Sequence, residues 1–162
     1  MYGATGLLQW LALLATAAVF IIWFHRTREN AELFNAGELR HSSGWAVGAW
    51  FIPFANLWIP KKIANDIWQA SAPPPDFGSR RPAGVGLVTA WWALWVTNLL
   101  VERLASRVYL SADDPTEVKS AVGLLTLSDT LDILAAVLAI VYVRKLSAMQ
   151  SLKHIRSAQP VG

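Results

Sequence analysis

SGWAVGAWFIPFANLWIPKKIANDIWQAS, from Ser43 to Ser71, is the stretch whose reading decides the fold of this 162-residue chain. Its first half is apolar enough to enter a bilayer, yet it contains Pro53, Asn56 and Pro60. Proline lacks an N–H and clashes with the preceding turn, so a regular helix breaks near Pro53. Lipid offers no partner to a carbonyl freed by that break. The segment 44–59 is also only just long enough to span. It is therefore expected to re-enter from one side or to be covered by neighbouring helices. After Pro60 the pattern changes. Ile59, Ile63 and Ile67 repeat every four residues with Ala64 and Trp68 beside them, while Lys61, Lys62, Asn65, Asp66 and Gln69 take the other positions. This predicts an amphipathic helix over 60–70 at the membrane interface, with Lys61 and Lys62 near lipid headgroups.

Three ordinary apolar segments surround this stretch, at about 6–24, 85–106 and 121–143, each close to bilayer length. Composition agrees: 54% of residues are hydrophobic and 15% charged, against about 25% charged in a soluble domain. The predicted fold is an all-α integral membrane helical bundle in a single domain over 1–146. It has three full spans and a proline-broken segment that re-enters or forms a fourth span. Residues 71–84 contain three consecutive prolines and read as a loop. The polar tail 147–162 is expected to fray on the cytoplasmic side. Basic residues follow the first apolar run instead of preceding it, which argues against a cleaved signal peptide.

Charge distribution discriminates between the two topologies, because Lys and Arg concentrate in cytoplasmic loops. With four spans the two sides carry eight and six basic residues, barely a bias. If 44–59 returns to its own side, eleven fall on the cytoplasmic side and three outside, where Glu102, Asp113, Asp114 and Glu117 also lie. The favoured topology is multi-pass in a bacterial plasma membrane, with the N-terminus outside and the C-terminus cytoplasmic.

The absence of cysteine excludes disulfides, thiolate metal sites and cysteine catalysis. His25, His41 and His154 lie in predicted loops or tails, and no HExxH, GxSxG or glycine-rich phosphate loop occurs. No cofactor, metal or catalytic residue is assigned. Scattered basic residues argue against nucleic acid as a partner. The expected partners are membrane lipids, with membrane proteins or a second copy as candidates.

Asp129 and Asp132 stand out because they share one face of the last apolar helix. An ionisable group there is expensive and usually faces the bundle interior. They suit either a proton or cation site or a structural arrangement, Asp129 with Arg103 and Asp132 with Asn98 or Asn56. Pro53, Asn56 and Pro60 form either a substrate-binding helix break or a passive wedge. Arg26 and Asn30 share a face just inside the membrane, where they could hold lipid phosphate or serve as a snorkelling anchor and a helix-end polar residue. Trp45, Trp50, Trp58 and Trp68 flank the break as interfacial anchors. Trp91, Trp92 and Trp95 lie deeper, as pocket lining or as core.

VFIIWFHRTRENAELF, the GW–WFIP–NLW–P core of Ser42 to Ser71, and WWALW from Trp91 to Trp95 together resemble the domain of unknown function family 4328, polytopic membrane proteins common in actinobacteria. The resemblance covers nearly the whole chain. Members often carry an additional span and an acidic loop before the segment that begins here, so the resemblance implies a short member or a late-called start. The family has no established activity to carry over.

Function is therefore read from chemistry alone. The favoured reading is a non-enzymatic scaffold or a subunit of a membrane assembly. The alternative is a small transporter or channel component using Asp129, Asp132 and the break at Pro53, Asn56 and Pro60. A lipid-directed membrane enzyme is the weakest of the three.

Overall fold

The computed structural model describes residues 2–35, 37, 39–73, 85–111 and 114–158. The expected loop over 71–84 falls outside the described residues beyond Pro73. The protein is all-α. In chain order it comprises α1 (Tyr2–Asn35), α2 (Trp45–Gly48), a 3₁₀ turn (Ala55–Leu57), α3 (Ile59–Ser71), α4 (Val85–Leu110) and α5 (Pro115–Ala158). Among the described residues, three helices are long and apolar enough to cross a membrane: α1, α4 and α5. The segment 44–59 contributes no helix of that length. The chain divides into two compact units, Met1–Pro73 with Met149–Gly162, and Pro74–Ala148.

In the first unit, α1 runs for 34 residues, about 50 Å at 1.5 Å per residue. Its apolar N-terminal part is largely uncovered by the chain, with Leu7, Leu8, Trp10 and Val19 all exposed. Further along, Phe24, Thr27, Arg28 and Ala31 are buried. This three-to-four spacing marks the face that meets the rest of the unit. The broken segment follows. Four residues form α2, and the chain then turns repeatedly to Leu57. Within the break, Pro53 O accepts from Ala55 N at 2.8 Å and Ile52 O from Asn56 N at 3.1 Å. Phe54 has φ 64°, a left-handed conformation that is costly for a bulky residue. Trp50 meets Phe20 and Phe24 edge-on at 5.7 and 5.9 Å, which fixes the segment to α1.

Pro60 lies in the first turn of α3, where a missing N–H costs nothing. Ile63, Ala64, Ile67, Trp68 and Ala70 are each almost fully buried. Burying an Ile side chain is worth roughly 1.5–3 kcal/mol. Protein covers this face, because α1 packs along α3 and the end of α5 reaches its last turn. The tail departs from expectation. It does not fray at 147 but continues as helix to Ala158, because Gln150 and Lys153 have partners in this unit.

The second unit holds α4 and most of α5. Trp91 stacks on Tyr142 at 5.4 Å, and Asn98 accepts from Ser128 at 2.7 Å. Residue numbers rise along one helix as they fall along the other, so the helices are antiparallel. Ala105, Ala121 and Ala135 are buried.

Candidate functional site

Among the described residues, polar groupings occur in both units. In the first, Gln150 is 4% exposed and is the centre of a hydrogen-bond cluster joining three helices. Its Nε2 donates to Thr27 O at 2.9 Å and Ser71 Oγ at 3.1 Å. Its Oε1 accepts from Asn30 Nδ2 at 3.2 Å. One turn on, Lys153 Nζ donates to Ala70 O at 2.6 Å and lies over the Phe34 ring. Carbonyls in the last turn of a helix lack intrahelical donors, and a cation there also meets the negative end of the helix dipole. Lys153 therefore caps α3.

Beside this cluster Arg28 is buried. It donates to Glu32 at 3.2 Å and to the carbonyl of His41, tying α1 to the following link. Asp66, 3% exposed, accepts from Arg40 Nη2 at 2.7 Å, from its Nε at 3.2 Å and from its backbone N at 3.4 Å. The hydrogen bond and charge of Asp66 raise the pKa of Arg40 further, so the guanidinium stays charged.

In the second unit the Asn98 side chain bridges two polar groups of α5. Its oxygen accepts from Ser128 Oγ, and its Nδ2 donates to Asp132 Oδ1 at 3.4 Å. Asn98 and Ser128 are buried, while Asp129 and Asp132 lie on the exposed face of α5. Arg103 is exposed on α4, and neither it nor Asp129 has an ion-pair partner among the described residues. The expected pairing of Asp129 with Arg103 is thus not made within the chain. The reason is that the hydrogen bonds of Asn98 set the facing sides of α4 and α5, and both charged residues fall outside them.

The other predicted residues separate by environment. Asn30 turns inward to Gln150, away from Arg26, which stays exposed. Asn56 is half-buried, Pro53 exposed and Pro60 buried. Lys61 is half-buried and Lys62 exposed. Trp45 and Trp58 are exposed, whereas Trp68 is enclosed. Trp91 and Trp92 are buried and pack against each other. Trp92 also meets Trp95 at 4.8 Å.

Sequence reasoning did not single out Gln150, Ser71, Thr27 or the Arg40–Asp66 pair. Asp66 carried a readable signal, a charge on the same helical stripe as Ile63, Ile67 and Ala70. Gln150 carried none, since one amide in a polar tail has no distinguishing pattern. Among the described residues no group of three or more His, Cys, Asp or Glu could hold a metal ion.

No curated protein and no solved structure matches the chain. The family model of the domain of unknown function DUF4328 matches residues 1–148. With its three span-like helices, proline-broken segment and tryptophan cluster, this chain belongs to the DUF4328 family.

Proposed function

We propose that this protein is a non-enzymatic subunit of a membrane assembly, and that one of its partners is a second copy of itself. The observation that carries the reading is the position of Asp129 and Asp132 on the exposed face of an apolar helix. A carboxylate left against lipid near the bilayer centre costs about 2.5–3.5 kcal/mol, so this face calls for a cover. Arg103 supplies the complementary charge. Asn98 and Ser128 lie at one level of the hairpin through their hydrogen bond. Arg103 is five residues from Asn98 toward the connecting loop, and Asp129 one residue from Ser128 away from it. Their levels differ by about 9 Å at 1.5 Å per residue. Helical side chains lean toward the N-terminus, which in this antiparallel pair tilts Arg103 and Asp129 toward each other's level. A neighbouring copy of the same orientation can thus join them. Thr126 and Ala136 on the same exposed face allow close approach.

The test uses the absence of cysteine. Two differently tagged copies, one Arg103→Cys and one Asp129→Cys, are co-expressed and treated with a bis-maleimide of arginine length. The expected product is a cross-linked pair carrying both tags, stronger than either variant gives alone. Equal yields from the mixture and from the single variants would overturn the pairing.

A second reading, a transporter or channel component, is favoured by the non-helical backbone at Pro53 to Leu57, since such backbone at membrane depth often lines a cavity. Single cysteines at Asn56 and Asp132 separate the two readings. Labelling by a water-soluble maleimide at both supports a conduit, and protection at both supports a dry interface. The proposed orientation, N-terminus outside in a bacterial plasma membrane, predicts that an impermeant thiol reagent on intact cells labels a cysteine at Ser111 but not one at Asn35.

A further inference from the structure

A groove of about 320 Å³ lies between α1 and α2, lined by Ile21, Ile22, His25, Arg26, Glu29 and Val47. Its lining changes character along α1. Ile21, Ile22 and Val47 form an apolar wall, and one turn further His25, Arg26 and Glu29 form a polar rim. The uncharged run of α1 ends at Phe24, so the groove straddles the place where the helix passes from apolar to charged. His25 Nδ1 and Glu29 Oε2 are 3.4 Å apart, and the Glu29 side chain remains 56% exposed, with acceptor capacity to spare. Arg26 is exposed and has no ion-pair partner among the described residues. Asn30, the other polar residue on this side of α1, is engaged by Gln150 and contributes nothing to the rim.

We infer that this groove binds a phospholipid whose headgroup carries a primary ammonium, such as phosphatidylethanolamine. The rim presents a guanidinium and a carboxylate one turn apart, and the headgroup presents a phosphate and an ammonium. Arginine's planar fork suits two phosphate oxygens at once. A primary ammonium can donate N–H bonds to Glu29, which a quaternary choline cannot. The acyl chains lie along Ile21, Ile22 and Val47, where burial of apolar surface adds affinity without charge. The carboxylate sets the class: an anionic headgroup would satisfy Arg26 but be repelled by Glu29.

The experiment is native mass spectrometry of the full chain, exchanged from detergent into mixtures of phosphatidylethanolamine, phosphatidylcholine and phosphatidylglycerol of equal acyl composition. The wild type should retain phosphatidylethanolamine over the other two. Arg26→Gln should weaken retention of that lipid about tenfold, as expected for losing a hydrogen bond to a charged group. Glu29→Gln should erase the preference over phosphatidylcholine while leaving phosphate-dependent binding. Both residues are exposed, so these variants should melt as the wild type does. Val47→Trp, which fills the wall without touching the rim, should lower retention of the ethanolamine lipid. Equal retention of all three lipids by the wild type, a preference for phosphatidylglycerol, or an unchanged lipid spectrum in Arg26→Gln would each overturn the assignment.

Discussion

Asp66 and Asp129 are the same side chain on two helices, treated in opposite ways. Asp66 is buried and gathers both a guanidinium and a backbone N–H from Arg40. Asp129 is exposed and has no ion-pair partner among the described residues. A buried charge persists only when paired and hydrogen-bonded, so Asp66 is part of the fold of one chain. A carboxylate on the outer surface of a spanning helix is compensated by something beyond that chain or remains a cost. The contrast teaches that Asp66 is met within its own chain, while Asp129 leaves a charge for another molecule to meet.

The largest expected effect tests this directly. Arg40→Leu strands the buried carboxylate of Asp66 and should cost about 3 kcal/mol, read as a lowered Tm in detergent. Arg40→Leu with Asp66→Leu should recover most of that loss. Asp129→Leu, measured on the dissociated chain, should cost little, since no partner within the chain is lost. If Asp129→Leu proves as damaging as Arg40→Leu, the comparison between the two aspartates fails.

Gln150→Leu comes next. It leaves the Thr27 carbonyl, the Ser71 hydroxyl and the Asn30 amide short of a partner, and each group left unsatisfied in a buried site carries a penalty. The expected loss is about 2 kcal/mol, with faster hydrogen exchange over the last turns of α3 and α5. Unchanged exchange at α3 would show that the end of α5 does not hold it.

Asn98→Leu should have a smaller effect, about 1–2 kcal/mol. It removes the acceptor of Ser128 and the donor to Asp132, but Asp132 is exposed and keeps other routes to solvation. A cross-linking pattern between Arg103→Cys and Asp129→Cys copies that survives Asn98→Leu would separate the packing of the hairpin from the association of copies.

A third aspartate sharpens the contrast at the smallest scale. Asp114 Oδ1 accepts from the backbone N–H groups of Thr116 and Glu117 at 2.6 and 3.0 Å, an N-cap on α5. These bonds hold its pKa below the ordinary 3.8. A carboxyl with a depressed folded-state pKa stabilises above its unfolded value and loses that contribution as pH falls through the lower folded value. Wild type and Asp114→Ala should therefore differ in Tm at neutral pH and converge as the pH drops below about 3.8. Asp114→Asn should keep the cap and lose the pH dependence. A difference between wild type and Asp114→Ala that persists at low pH would argue against the carboxylate as its source.

The sequence by itself determined the class of fold. Long apolar runs and the charge deficit point to a helical membrane protein, and Pro53 forbids a regular helix across 44–59 because a missing N–H is a local fact needing no partner. The amphipathic stripe of Ile63, Ile67 and Trp68 was legible for the same reason, since helical period is local. What covers that stripe was not. Tertiary structure decided that α1 and the end of α5 enclose α3, that the tail stays helical to Ala158, and that Asn30 turns to Gln150 instead of Arg26. It also decided that Asp132 meets Asn98 while Asp129 and Arg103 point away from their own hairpin. Each of these depends on the rotation of one helix about its axis against another. That rotation is settled by pairwise packing and hydrogen bonds between residues 30 to 120 positions apart, and one-dimensional spacing carries no record of it.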